Sequence, residues 1–142
     1  MISRREQIVR EVVARCTAAV APVAVLRQPV TAIPRERTPA LIVVVESDNP
    51  VKRANDRMER ELVVRLVGLA RDPAHGYLVA DDMICRAHAA MFADSTLGGL
   101  AIGIIEAEAD WQAEDADIDA IAIPASYRIT YRTLVSDISQ GG

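Results

Sequence analysis

An α+β fold is what this sequence predicts: a mostly antiparallel sheet of four to five strands packed against two helices, in the order α-β-β-β-α-β-β. Three observations predict it. The apolar content is mostly Ala, Val and Ile, with one Phe, one Trp and three Tyr. That aliphatic core is rich in β-branched side chains, which a pleated sheet tolerates and a helix crowds. The stretch Arg57–Arg71 (RMERELVVRLVGLAR) alternates charged and apolar residues and then fills both sides with aliphatics. It reads as a long central strand with Met58, Leu62, Val64 and Leu66 on one face. Finally, strand-like runs cluster on either side of a helical segment and do not alternate singly with helices, as a parallel α/β sheet would require.

In order, Ser3 with Glu6 three residues on is a capping box for a helix reaching about Ala19, with Ile8, Val9, Val12, Val13 and Cys16 as its apolar stripe. Pro22 ends it, and Val23–Arg27 is a short strand. Gln28–Pro39 carries three prolines and a charged cluster and reads as a loop or irregular edge segment. Ala40–Glu46 (ALIVVVE) is nearly all apolar, as a strand buried on both faces is. Ser47–Pro50 supplies turn chemistry, and Val51–Asp56 links the strand to Arg57–Arg71 as the mobile tip of a long hairpin.

Asp72-Pro73 makes the next turn. A second helix follows from Tyr77 to about Ala93, striped by Val79, Met83, Ile84, Ala87, Ala90 and Met91. Its alanines allow close approach to a sheet. Gly98-Gly99 terminates it. Ile102–Gln112 is a strand with Ile102, Ile104 and Glu106 on one side and Gly103, Ile105 and Trp111 on the other. Ala113–Asp119 is acidic and turn-like. Ile121–Thr133 alternates again, with Pro124 marking an edge or bulge. Residues 1–135 form one domain by the usual size prior, and 136–142 are expected to be a disordered tail.

The net charge of −4 argues against nucleic-acid binding, which requires a basic face. Charge is also unevenly placed: most arginines fall in residues 1–71, and Glu106–Asp119 is strongly acidic. Opposite patches on one small protein suit self-association or docking to a protein partner. The two cysteines, Cys16 and Cys85, lie in the helical segments among apolar neighbours, as free thiols do in a reducing compartment. Met1–Arg10 is charged and lacks an apolar h-region, and no apolar run approaches ~18 residues. A protein made and kept in a cytoplasm is the expectation.

No stretch supplies a convincing catalytic motif. Asp81, Cys85 and His88, spaced i, i+4, i+7, fall on one helical stripe and are weak candidates for a metal site or a cysteine nucleophile with its base. With only two histidines in the chain, a four-ligand site lacks donors. The competing reading packs Cys85 as a small apolar residue and leaves Asp81 and His88 in water. His75 reads as a turn residue ahead of the helix. Asp115, Asp117 and Asp119 resemble the first half of a calcium loop but lack its glycine and closing glutamate. There is no phosphate-binding glycine loop and no nucleophile elbow, so no catalytic residue, metal or cofactor is expected.

Three stretches carry a family resemblance: ERELVVRLV at Glu59–Val67, ADDMI at Ala80–Ile84, and SYRITYRT at Ser126–Thr133. With the element order, they resemble the tail terminator family of long-tailed bacteriophages, the minor tail protein U-like proteins. The resemblance implies a non-enzymatic α+β subunit of a hexameric ring that caps the tail tube, stops its polymerisation and joins tail to head. Its partners would be further copies of itself, a monomer in solution being compatible with a hexamer on assembly, the tail tube protein and a head-completion protein; its place would be the host cytoplasm during assembly and then the virion tail. A ring needs two different faces on each subunit. Charge placement nominates Arg35, Arg37, Lys52, Arg53 and Arg57 for one face and Glu106, Glu108, Asp110, Asp115 and Asp117 for the other. The alternatives are another neck, tail-completion or secretion-tube component, or a small metal-dependent or cysteine enzyme using Asp81, Cys85 and His88.

Overall fold

The structure, a computed structural model, describes residues 1–29, 31–111 and 120–142. Ser3 begins the first helix, α1 (Arg4–Val20), its hydroxyl accepting from the Glu6 N–H at 3.0 Å. Ile8, Val9, Val12, Cys16 and Val20 form the buried side of α1. Then come β1 (Ala24–Arg27), a 3-10 turn at Arg35–Arg37, β2 (Ala40–Ala54), β3 (Arg57–Ala70), α2 (Gly76–Ala93), β4 (Gly103–Ala107) and β5 (Ile121–Leu134).

The five strands make one mixed sheet in the order β1-β2-β3-β5-β4. β1 runs parallel to β2, because residues 28–39 carry the chain back to the starting end of the sheet before β2 begins. The other three pairings are antiparallel. β3 is the central strand, paired along its whole length with β5, from Arg57 opposite Leu134 to Ala70 opposite Ile121.

Two strand boundaries differ from expectation. The strand foreseen at Ala40–Glu46 continues to Ala54, and the ladder runs through Ser47–Pro50. Register shifts between Val45 and Ser47 and between Pro50 and Lys52 absorb one residue each, as β-bulges do. Beyond Val43, β2 has no β1 neighbour, so it is an edge strand there and tolerates a proline that cannot donate to a second ladder. The turn shrinks to Asn55-Asp56, with Asn55 at a left-handed φ of 57° that asparagine accepts readily. In the second difference, β4 ends at Ala107, well short of Gln112. Pro124 lies in the part of β5 that β4 does not reach. The acidic segment Ala113–Asp119 lies outside the described residues.

Residues 136–142, expected as a disordered tail, fold back on the start of α1. The Arg4 N–H donates to the Ile138 carbonyl at 2.7 Å, the Gln7 amide reaches the Ser139 carbonyl at 3.3 Å, and Thr133 bridges to Gly141. These contacts satisfy a helix N-terminus and the end of β5.

Both helices cover one face of the sheet. Leu41 and Val43, Leu62, Val64 and Leu66, and Tyr127, Ile129 and Tyr131 meet the buried stripes of α1 and α2 there. α2 approaches β3 so closely that a Cβ on Gly68 would stand 2.8 Å from the Ala80 carbonyl oxygen. On the other face, Ile33, Ile42, Val67 and Leu69 form a small second cluster at one end. The remainder of that face carries cross-strand ion pairs: Arg65 to Glu46 at 3.7 Å, Arg128 to Glu61 at 3.8 Å and Arg132 to Glu59 at 3.7 Å. Among the described residues, no helix is long and apolar enough to cross a membrane.

Candidate interaction surfaces

Asp81, Cys85 and His88 do share a helix, but they are not brought to a common point. Asp81 and Cys85 are exposed. His88 turns toward the sheet, its Nδ1 2.8 Å from the Tyr127 hydroxyl and its ring 4.8 Å from that of Phe92. Burial and then the Glu106 carboxylate raise the Tyr127 phenol above its ordinary value, so it stays protonated and available for that hydrogen bond. Cys85 is therefore not the packed apolar residue of the competing reading, and His88 is not free in water. Among the described residues, no group of three or more His, Cys, Asp and Glu is placed to hold a metal ion. Cys16 is fully buried in the core, and burial pushes its thiol up to about 11.

His75 is a turn residue beside Asp72, whose Oδ1 accepts from the Ala74 and His75 N–H groups at 3.0 and 3.2 Å. These bonds hold the Asp72 carboxyl below its ordinary value. A second polar cluster lies where α1 starts. Asp48, reached by the extension of β2, accepts from the Tyr131 hydroxyl at 2.8 Å and from Arg5 at 3.1 Å. The hollow beside it measures about 30 Å³, room for a water molecule and not for a substrate.

The charged residues nominated for association separate by position in the sheet. Glu106 lies on β4, the outermost strand, and Glu108 and Asp110 follow it; all three are exposed. Arg65 of the central strand donates to the Asp110 carbonyl at 2.9 Å, so by Asp110 the chain has come within reach of a β3 side chain. Arg35 and Arg37 lie in the 3-10 turn just before β2, at the end of the sheet where Ala40 pairs with Leu69 and beside the opposite edge strand, β1. Lys52, Arg53 and Arg57 stand at the hairpin tip. Lys52 pairs with Glu59, six residues from Arg65, or roughly 20 Å away along the strand. The five basic residues are thus two groups at opposite ends of the sheet. Asp115 and Asp117 lie outside the described residues.

Apolar surface adds to the charges at both edges. Two adjoining hollows of about 350 and 360 Å³ share Pro22 and Val23; Leu78 and Val79 of α2 line one, and Arg37 and Pro39 line the other. Leu78 is 71% exposed, and Tyr77 beside it 67%. On β4 Ile105 is 55% exposed, and Trp111, beyond the end of that strand, 68%. The groove went unforeseen because it joins segments distant in sequence. A signal was present nonetheless: Tyr77 and Leu78 fall outside the apolar stripe of α2, and Ile104-Ile105 puts an isoleucine on each face of one strand.

No protein-family model matches the chain, and no curated protein matches it significantly.

Proposed function

We propose that this protein is a non-enzymatic tail terminator of a long-tailed phage or prophage, a subunit that associates head to tail into a ring, caps the tail tube and joins tail to head. The observation that carries the reading is the pair of unlike sheet edges: β4 leads into an acidic run, whereas β1 adjoins an apolar groove and the Arg35–Arg37 turn. Surfaces that differ in this way suit a heterologous contact, and heterologous contacts generate rings when the rotation closes. The three stretches resembling tail terminators, and an element order with only a 3-10 turn added between the first two strands, support the same reading. Its partners are then further copies of this chain, the tail tube protein and a head-completion protein, and its work is done in the host cytoplasm and in the virion tail.

The test is negative-stain microscopy of purified protein mixed with polymerising tail tube protein. Ring-shaped caps at tube ends, with tube growth halted, are expected. Tubes that elongate unchanged and carry no end density would refute the proposal. Density along the tube wall would point to a different tube component.

A further inference from the structure

We infer that two copies of this chain pair through the outer face of α2, with the two helices antiparallel about a two-fold axis at Cys85. The contact uses neither sheet edge, so it goes beyond the ring reading and stands apart from it. Added to a head-to-tail ring, a two-fold contact joins two rings into one closed assembly.

α2 is apolar on both of its faces. Ala80, Met83, Ala87 and Met91 are the stripe buried against the sheet. On the opposite face Leu78, Cys85 and Phe92 recur at i, i+7 and i+14, and all three are exposed. α1 covers the same face of the sheet, yet it leaves no large apolar side chain exposed. A seven-residue spacing keeps one seam of a helix turned toward a neighbouring helix.

The seam is complementary to itself when reversed. Leu78 stands seven residues before Cys85 and Phe92 seven after it. An antiparallel two-fold at Cys85 therefore brings Leu78 of each copy to Phe92 of the other. The small side chains of Cys85 and Ala89 occupy the middle, where the two backbones come closest.

Charge selects the antiparallel arrangement and identifies the occupant as a second copy. At helical spacing, Asp81 and His88 flank the seam on one side, and Asp82 and Arg86 flank it on the other. Each flank has its acid nearer the start of the helix and its base nearer the end. The antiparallel two-fold keeps the flank and reverses the height. Asp81 then lies beside His88 of the second copy, and Asp82 beside Arg86 of the second copy. Asp82 already holds its own Arg86 at 3.0 Å, so the second flank closes as a four-membered ionic cluster. A parallel pairing would set Asp81 beside Asp82 of the second copy and His88 beside its Arg86, and like charges so placed cost binding energy.

Cys85 makes the contact testable, because it is exposed whereas Cys16 is buried. The full chain is treated with a short bifunctional maleimide over a range of concentrations. A cross-linked dimer is expected, with a yield that rises with concentration and saturates. Leu78→Glu should weaken the association on the order of tenfold, and Ile105→Glu on β4 should leave it unchanged. Leu78 is 71% exposed and Ile105 55%, so both variants keep the fold. Direction is read in a Cys85→Ser background. Asp81→Cys mixed with Ala89→Cys should cross-link, and Asp81→Cys alone should not, since its two thiols would stand eight residues apart along the helices, roughly 12 Å.

A larger species in sedimentation with no cross-linked dimer, or cross-linking that survives in Leu78→Glu and is lost in Ile105→Glu, overturns the α2 contact and leaves the ring reading standing. Cross-linking of Asp81→Cys with itself and not with Ala89→Cys overturns the antiparallel two-fold. A cross-linked dimer with no larger species at any concentration, alone or with tube protein, upholds the α2 contact and removes the ring reading.

Discussion

Glu6 shows how one side chain can serve two levels of structure. Its backbone N–H closes the cap with Ser3, as the local spacing predicts. Its carboxylate, however, receives two bonds from Arg27 at 2.6 and 2.8 Å, and one from Arg10 at 3.0 Å, which ties α1 to β1. The Arg27 bonds chiefly, with Arg10 adding, hold its pKa at about 2, down from 4.5. A carboxyl whose folded pKa is depressed stabilises the fold above its unfolded value and loses that contribution as pH falls through the folded one. Glu6→Gln should therefore lower the urea midpoint slightly at pH 7, by under about 1 kcal/mol for a surface pair, and the difference from wild type should vanish near pH 2. The buried Tyr131 hydroxyl on Asp48 is worth more, because its acceptor is charged and largely removed from water. Tyr131→Phe should cost about 2 kcal/mol in denaturant unfolding. Ser3 and Glu6 were legible as a cap because three residues separate them. Arg27 and Asp48 were not legible as partners, since strand packing alone brings them to α1.

Among the elements, β3 and α2 show what pattern can and cannot convey. The two faces of β3 follow directly from alternation: Leu62, Val64 and Leu66 lie under the helices, and Val67 and Leu69 lie in the second cluster. The extent of β2 did not follow. Ser47-Asp48-Asn49-Pro50 has the composition of a turn, but two bulges and an unpaired outer edge let it continue as a strand. The parallel β1–β2 pair was equally hidden, since register and direction depend on where a proline-rich loop returns. The closeness of α2 and β3 was anticipated from the alanines of α2, and Gly68 completes it. Gly68→Ala should be destabilising by about 1 to 3 kcal/mol in chemical denaturation, because the new methyl meets backbone at Ala80 that cannot move without displacing α2. Retained stability would mean that the helix lies farther from the strand.

For the whole molecule, charge placement in the sequence separated acidic from basic segments but could not divide the basic residues. The sheet does so by setting Arg35 and Arg37 near β1 and carrying Lys52, Arg53 and Arg57 to the hairpin tip. In the proposed ring, association through the sheet edges would leave that tip free for an axial neighbour. Arg53→Glu with Arg57→Glu should accordingly spare subunit–subunit association and weaken capping of tail tubes, read as longer tubes in micrographs. The central claim is a closed, head-to-tail assembly, and sedimentation velocity of the wild-type chain across rising concentration tests it most directly. The expected result is conversion of monomer to one larger species whose mass stops increasing. A chain that remains monomeric both alone and with tube protein, or that stops at a symmetric dimer, would contradict it.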